Sequence, residues 1–288
     1  MRPLPITAVQ VAPIAWDPAA TLAKFEDELA ELRRNLPETR LFVFPELYLS
    51  AVGSLTQSPI DGYVLADVAT TVPGPLTDRL CKIAEDLDAW LVPGSFYERA
   101  DDGAVFNTAI AISPAGKIEA RYRKVFPWRP WEQVRAGDRF VVFDIEDVGR
   151  AGLMICYDGW FPEAARHLAW MGAEVILQPT ATSTSDRAQE VILARGNAIA
   201  NQVFVVNPNM GGRPGPGTSV ICDPEGHVLQ IAGDGEAYLT EVLDLDAVAR
   251  VRRFGSVGLN RMWDQLDEEG PGIPLPMYGG AFRPRGSA

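Results

Sequence analysis

Apolar positions along this chain change period several times, and each change marks an element. Ile6 to Ile14 is a short apolar run, and after Asp17-Pro18 the residues Leu22, Phe25, Leu29, Leu32 and Leu36 recur at helical spacing, with the proline suited to a first turn. Pro37 ends that helix. Leu41-Phe42-Val43-Phe44 is then unbroken and apolar, as a strand covered on both faces requires, and it stops at Pro45-Glu46. Leu76, Leu80, Ile83 and Leu87 mark a second helix and Trp90-Leu91-Val92 a third strand, so this part of the chain predicts βαβ units.

Asp101-Asp102-Gly103 predicts a hairpin turn into Val105 to Ile112, and Pro114-Ala115-Gly116-Lys117 turns the chain into Ile118 to Lys124, where the sheet becomes antiparallel. Phe140 to Ile145 and Gly152 to Cys156 read as another strand pair. A helix from near Pro162 to Met171, a strand from Val175 to Leu177 and a helix over about Asp186 to Asn201 follow. Further strands are expected at Val203 to Val206, Thr218 to Cys222, Val228 to Ala232 and Ala237 to Val242. Strands recur from end to end without a Ser/Gly linker, which predicts one mixed α/β domain over residues 1–288. Two long irregular stretches, roughly Ser50 to Pro73 and Gly255 to Ala288, are candidates for pocket covers or partner-binding arms.

Composition narrows the function classes. With 288 residues the chain is long enough to bury a core without a disulfide or metal staple. The formal net charge of −12 repels phosphate backbones and anionic lipid surfaces, so nucleic acid is not an expected partner. Pro3 and Pro5 break any apolar leader helix, and no run approaches the ~20 apolar residues of a membrane span, which together predict a cytoplasmic protein. Cys81, Cys156 and Cys222 are widely spaced and form no CxxC; with only His167 and His227 beside them, a histidine-rich metal site is not expected. Chemistry here has to run on carboxylates, lysine or cysteine.

Three strand ends carry such groups. Glu46 sits where a buried strand runs out, a position at which open α/β sheets place catalytic groups. It reads either as a solvated residue opening a loop or as a carboxyl whose pKa is raised by desolvation, fit to take a thiol proton. Lys124 reads either as the wet end of a strand bearing Arg121 and Arg123 or, given Val125-Phe126-Pro127-Trp128, as a cation walled into a dry site. Cys156 precedes Tyr157-Asp158-Gly159-Trp160-Phe161-Pro162 and is either core filler or the exposed tip of a strand-to-helix elbow, where backbone N–H groups favour a thiolate and an oxyanion. Cys81 and Cys222 suit the filler reading. His167 and His227 lie on the next helix and in a turn, positions that argue against a Cys-His pair.

In order and setting, Phe44-Pro45-Glu46-Leu47, Tyr122-Arg123-Lys124 and Ile155-Cys156-Tyr157-Asp158 together resemble the Glu, Lys and Cys motifs of the nitrilase superfamily of carbon-nitrogen hydrolases. The resemblance runs over about residues 5 to 245 and includes Gly217-Thr218-Ser219-Val220 and Asp223-Pro224-Glu225-Gly226. Phe126-Pro127-Trp128 in place of a histidine after the lysine, together with Cys156-Tyr157-Asp158-Gly159, is similar to aliphatic amidases and formamidases; the stretch Asp158 to Arg166 also resembles N-carbamoyl-amine hydrolases.

The resemblance implies a four-layer αββα sandwich of two mixed β-sheets flanked by helices. It also implies a cofactor-free hydrolase, with a C-terminal extension from about 245 and the helix after the cysteine serving homo-oligomer contacts. It implies catalytic roles for Glu46, Lys124 and Cys156, with Glu132 matching the second glutamate of the amidases and the Tyr157 N–H serving the oxyanion. Tyr48, Trp128, Trp131, Trp160 and Thr180 are the expected pocket walls. The expected activity is hydrolysis of a small carboxylic amide, with an N-carbamoyl hydrolase, a nitrilase or a catalytically inactive binding protein as alternatives.

Overall fold

The computed structural model describes residues 1–54, 63–212 and 215–266, together with the backbone of 267–268, 273–275 and 280–282. Two mixed sheets face each other. In the first, β1 (Pro3–Gln10), β2 (Leu41–Val43) and β3 (Trp90–Val92) run parallel, and β4 (Ser95–Arg99), β5 (Val105–Ile112) and β6 (Ile118–Arg123) join antiparallel on one side, with β5 against both β4 and β6. In the second sheet, β7 (Val141–Ile145) pairs antiparallel with β8 (Gly149–Leu153), which runs parallel to β9 (Val175–Leu177) and β10 (Phe204–Asn207). The strands β11 (Val220–Cys222) and β12 (Val228–Ile231) complete that sheet, and β13 (Ala237–Asp244) returns to close the first sheet beside β1. A short hairpin, β14 (Ile273–Leu275) with β15 (Gly280–Phe282), stands apart.

The alternation within the apolar runs explains the layers. Leu41, Val43, Trp90 and Val92 face Phe143, Leu153, Val175, Leu177 and Val206 in the core between the sheets. Their neighbours Phe42, Phe44 and Leu91 point the other way, onto α1 (Pro18–Asn35) and α3 (Pro75–Leu87). Ile176, Val205 and Val220 pack outward on α4 (Pro162–Trp170) and α5 (Arg187–Asn201). The result is the αββα order, and at roughly 1.5–3 kcal/mol per fully buried large side chain these two-sided strands supply much of the stabilisation. Helix α1 starts where the sequence predicts, with Asp17 accepting a hydrogen bond from the Ala20 amide (2.9 Å) and Pro18 in the first turn.

Several boundaries differ from the sequence expectation. β4 lies in a segment assigned no element, and β8 ends at Leu153, three residues before Cys156, because its last ladder pair is Leu153 with Leu177. Residues 156–160 form a 3₁₀ turn before α4. The stretch from Ser50 to Pro73 holds one helical turn, α2 (Leu65–Val68), while residues 55–62 lie outside the described ones. Beyond residue 245 the chain is more regular than expected: α6 (Asp246–Phe254) buries Ala247, Val248 and Val251, and α7 (Met262–Glu268) sets Trp263 beside Trp170 and near Arg252. No helix among the described residues is long and apolar enough to cross a membrane.

Candidate active site

Glu46, Lys124 and Cys156 come together although they follow strands of different sheets. Glu46 follows β2; its backbone N–H donates to the Thr180 carbonyl at 3.3 Å. The turn lies so close to Gly94 that a Cβ there would stand 1.7 Å from the Pro45 carbonyl oxygen, and Gly94 also has φ of +80°, so no other residue fits. Lys124 leaves β6 with its N–H on the Asn107 carbonyl (2.8 Å), which turns its side chain inward while Arg121 and Arg123 bind Glu98. Cys156 has φ of +44°, a conformation rarely adopted by a residue with a side chain.

That strained elbow is fixed from several sides. The Cys156 N–H donates to Pro179 O (2.9 Å) and its carbonyl accepts from Gln178 Nε2 (2.9 Å). Asp158, fully buried, accepts from the Ile155 N–H (2.8 Å), the Tyr122 hydroxyl (2.7 Å) and the Phe126 N–H (2.9 Å), joining the elbow to the loop after Lys124. Gly159 presses on Gln178, where a Cβ would lie 2.3 Å from Nε2.

The electrostatics follow from burial. Lys124 Nζ lies 2.7 Å from both Glu46 Oε1 and Glu132 Oε2, with all three side chains closed to water. Asn107 Nδ2 bridges the same carboxylates, at 2.8 Å to Glu46 Oε1 and 2.6 Å to Glu132 Oε1, and the Trp128 N–H caps Glu132 Oε2 at 2.8 Å. Burial alone would lower the Lys124 pKa, but the charges of Glu132 and Glu46 outweigh it and hold the ammonium well above its ordinary value. Burial lifts the Glu46 carboxyl above the usual range; Lys124 opposes that lift and the Glu132 charge adds to it. The Cys156 thiol is pushed well up by burial and by the charges of Glu46 and Glu190, against the pull of Lys124. A resting neutral thiol beside a high-pKa carboxyl therefore needs proton transfer before it can attack.

Above Cys156 is a narrow cleft lined by Trp128, Tyr157, Trp160, Thr182, Asp186 and Glu190 among others. The other expected walls lie elsewhere. Tyr48 is fully buried in the core under α1 and donates to Glu28 Oε2 (2.9 Å), because the turn after Glu46 sends it to the outer face of the sheet. Thr180 is buried and accepts from Asn207 Nδ2 (2.9 Å), and Trp131 is 51% exposed beside Trp128.

Sequence reasoning missed Asn107, Asp158 and Glu190 as site residues. Asn107 carried a signal, an amide inside a mostly apolar strand. Glu190, four residues into an amphipathic helix and three after Arg187, reads as half of a surface ion pair; it is in fact buried, with Oε1 3.6 Å from Cys156 Sγ and Oε2 3.1 Å from Arg187 Nη1.

The sequence model of the carbon-nitrogen hydrolase family matches residues 5–253. A formamidase of Bacillus thuringiensis is 33% identical over 202 residues, covering 68% of this chain and 59% of that enzyme, so the match spans about three fifths of that relative's length. Among solved structures, Nit3 of Saccharomyces cerevisiae, a member of branch 10 of the nitrilase superfamily, has a TM-score of 0.74 at 25% identity, covering 88% of this chain and 94% of its own. A glutamate-to-glutamine mutant of an amidase from Nesterenkonia sp. AN1 has a TM-score of 0.73 at 26% identity, covering 87% of this chain and 94% of its own. It shows covalent addition of the acetamide moiety of fluoroacetamide at its active-site cysteine.

Proposed function

Because this chain belongs to the carbon-nitrogen hydrolase family, we infer that it is an amidase, converting a small carboxylic amide and water to the acid and ammonia through a Cys156 thioester. The observation that carries this reading is the Lys124 ammonium held between two buried carboxylates beside a cysteine on a left-handed elbow. Glu46 takes the thiol proton as Sγ bonds to the amide carbon. Lys124 Nζ has two of its three hydrogens on Glu46 and Glu132, and the third, with the Tyr157 N–H, holds the developing oxyanion. Collapse of the tetrahedral species breaks the C–N bond as Glu46 returns its proton to the departing ammonia. Glu46 then takes a proton from water, whose oxygen attacks the thioester; breakdown of that adduct gives the acid and returns the proton to sulfur. Glu132 positions Lys124, and no step calls for a cofactor.

The relatives' activities support an amide substrate, and Trp128, Tyr157 and Trp160 around a small cleft support a short acyl group. The test is a screen over formamide, short aliphatic amides, aromatic amides, ureido acids and nitriles, with ammonia and carbon dioxide measured separately. Ammonia without carbon dioxide from amides, lost in a folded Cys156→Ala variant, is the expected result. Carbon dioxide release from ureido substrates alone, or full activity in Cys156→Ala, would overturn it.

A further inference from the structure

The wall of the cleft formed by residues 182–190 has a chemistry that the amide-cleaving groups do not use. Two carboxylates, Asp186 and Glu190, line it beside the hydroxyls of Thr182 and Thr184, and three aromatic rings, Trp128, Tyr157 and Trp160, complete the lining. Thr184 Oγ1 donates to Asp186 Oδ1, and the second Asp186 oxygen has no hydrogen-bond partner among the described residues. Glu190 accepts from Thr182 Oγ1 and Arg187 Nη1, and its Oε1 reaches Cys156 Sγ. Helix α5 begins here, and its N-terminal dipole favours negative charge, which Asp186 and Glu190 already supply.

Around the thiol, the carboxylates Glu46, Glu132, Asp186 and Glu190 are accompanied, among the described residues, by the cations Lys124 and Arg187. Arg187 is buried behind Glu190, where it also donates to the Thr218 carbonyl at 2.9 Å, and Lys124 is shared by two acids. Among the described lining residues, a carboxylate entering the cleft therefore meets no unpaired cation, whereas an ammonium finds carboxylate oxygens and aromatic faces, the combination that recognises cations.

We propose that this wall selects amides whose acyl group carries a protonated amine and rejects those carrying a carboxylate. The selection rests on the amidase reading for its reaction but not for its electrostatics, and the two are tested apart. Cys156 alkylation by iodoacetamide (neutral), iodoacetate (anionic) and 2-bromoethylammonium (cationic) reads the field without turnover, each rate being divided by that of a free-thiol peptide. One unit charge at ~6 Å and an effective dielectric of ~20 changes a rate by roughly a hundredfold, reduced by screening in an open cleft. The normalised rate of the cation should thus exceed that of the anion by at least ~10-fold. Asp186→Asn should shrink that ratio severalfold, and Glu190→Gln should shrink it further because it uncovers the Arg187 charge.

In parallel, kcat/KM on ω-amino, unsubstituted and ω-carboxy amides of equal length should fall in that order. Equal normalised alkylation rates, or a ratio unmoved in both variants, would overturn the selection. Failure of all three reagents to reach Cys156 would overturn it too, since it requires an open cleft. Charge discrimination in labelling with no hydrolysis of any amide would leave the selection standing and sink the amidase reading alone.

Discussion

Replacing Lys124 with methionine keeps the length of the side chain and deletes its charge. In the native site Nζ lies 2.7 Å from each of two carboxylates, all three groups being sealed from water. Removing one partner of such a buried set costs roughly 3–5 kcal/mol, because uncompensated charge stays behind. The chain can relieve part of this by binding a proton at Glu46, and the sign of the pH dependence follows. The Glu46 carboxyl already lies above its ordinary value of 4.5 through burial, and without the ammonium the opposing pull disappears and it rises further. A carboxyl raised in the folded state stabilises fully below its unfolded pKa, and that contribution is lost as pH climbs through the folded value. Lys124→Met should therefore lie closer to wild type at a mildly acidic pH than at a mildly alkaline one. Turnover should drop by ~10²–10³ from loss of the oxyanion donor. Urea unfolding at the two pH values, with steady-state kinetics and circular dichroism, reads all three quantities. A variant within about twofold of wild-type turnover whose urea midpoint stays unchanged at both pH values would refute the reasoning.

Asp158→Asn keeps one acceptor but turns a donor toward backbone N–H groups, so it should cost about 1–3 kcal/mol and lower kcat. Burial lifts the native Asp158 pKa from 3.8 to about 6, so the native chain loses that carboxyl's contribution as pH rises through this window, and the stability gap to the variant should narrow from pH 4 to 7 in denaturation curves. A gap that widened would contradict the burial of the charged form. Tyr48→Phe should cost about 1 kcal/mol for the lost hydroxyl bond to Glu28 while leaving KM unchanged, and Trp131→Ala should leave KM unchanged as well. A severalfold rise in KM for either would return that residue to the cleft.

The two-sided strands were legible because burial on both faces leaves runs such as Leu41 to Phe44 that nothing else explains. The end of β2 was legible too, since Pro45 breaks its ladder, whereas β8 stops at Leu153, short of the expected Cys156. Inward orientation was not. Lys124 follows two arginines in alternation with Tyr122, and only the Asn107 backbone contact and the buried carboxylates decide that its charge turns away from water. Tyr48, two residues from Glu46, misled because a left-handed Leu47 (φ of +52°) reverses the chain between them. Glu190 was hidden for the opposite reason: its helix carries polar residues on most faces, and the fact that one of those faces meets the cleft is set by how α5 lies on the second sheet.

The site spans a seam. Glu46, Asn107 and Lys124 descend from the first sheet, Cys156 from the second, and the Asp158 carboxylate and the Glu46-to-Thr180 bond tie the halves together. Distance between Cys156 and Glu46 is thus a direct readout of sheet spacing. That spacing is set by a layer in which small side chains, Ala8, Ala109, Ala111, Ala120 and Ala151, interleave with Leu153, Val175 and Val206. Bulk added in that layer, remote from the cleft, would wedge the halves apart and shift Cys156 against Glu46 and Lys124 by fractions of an ångström, so the interior of this sandwich sets a thickness as well as supplying cohesion.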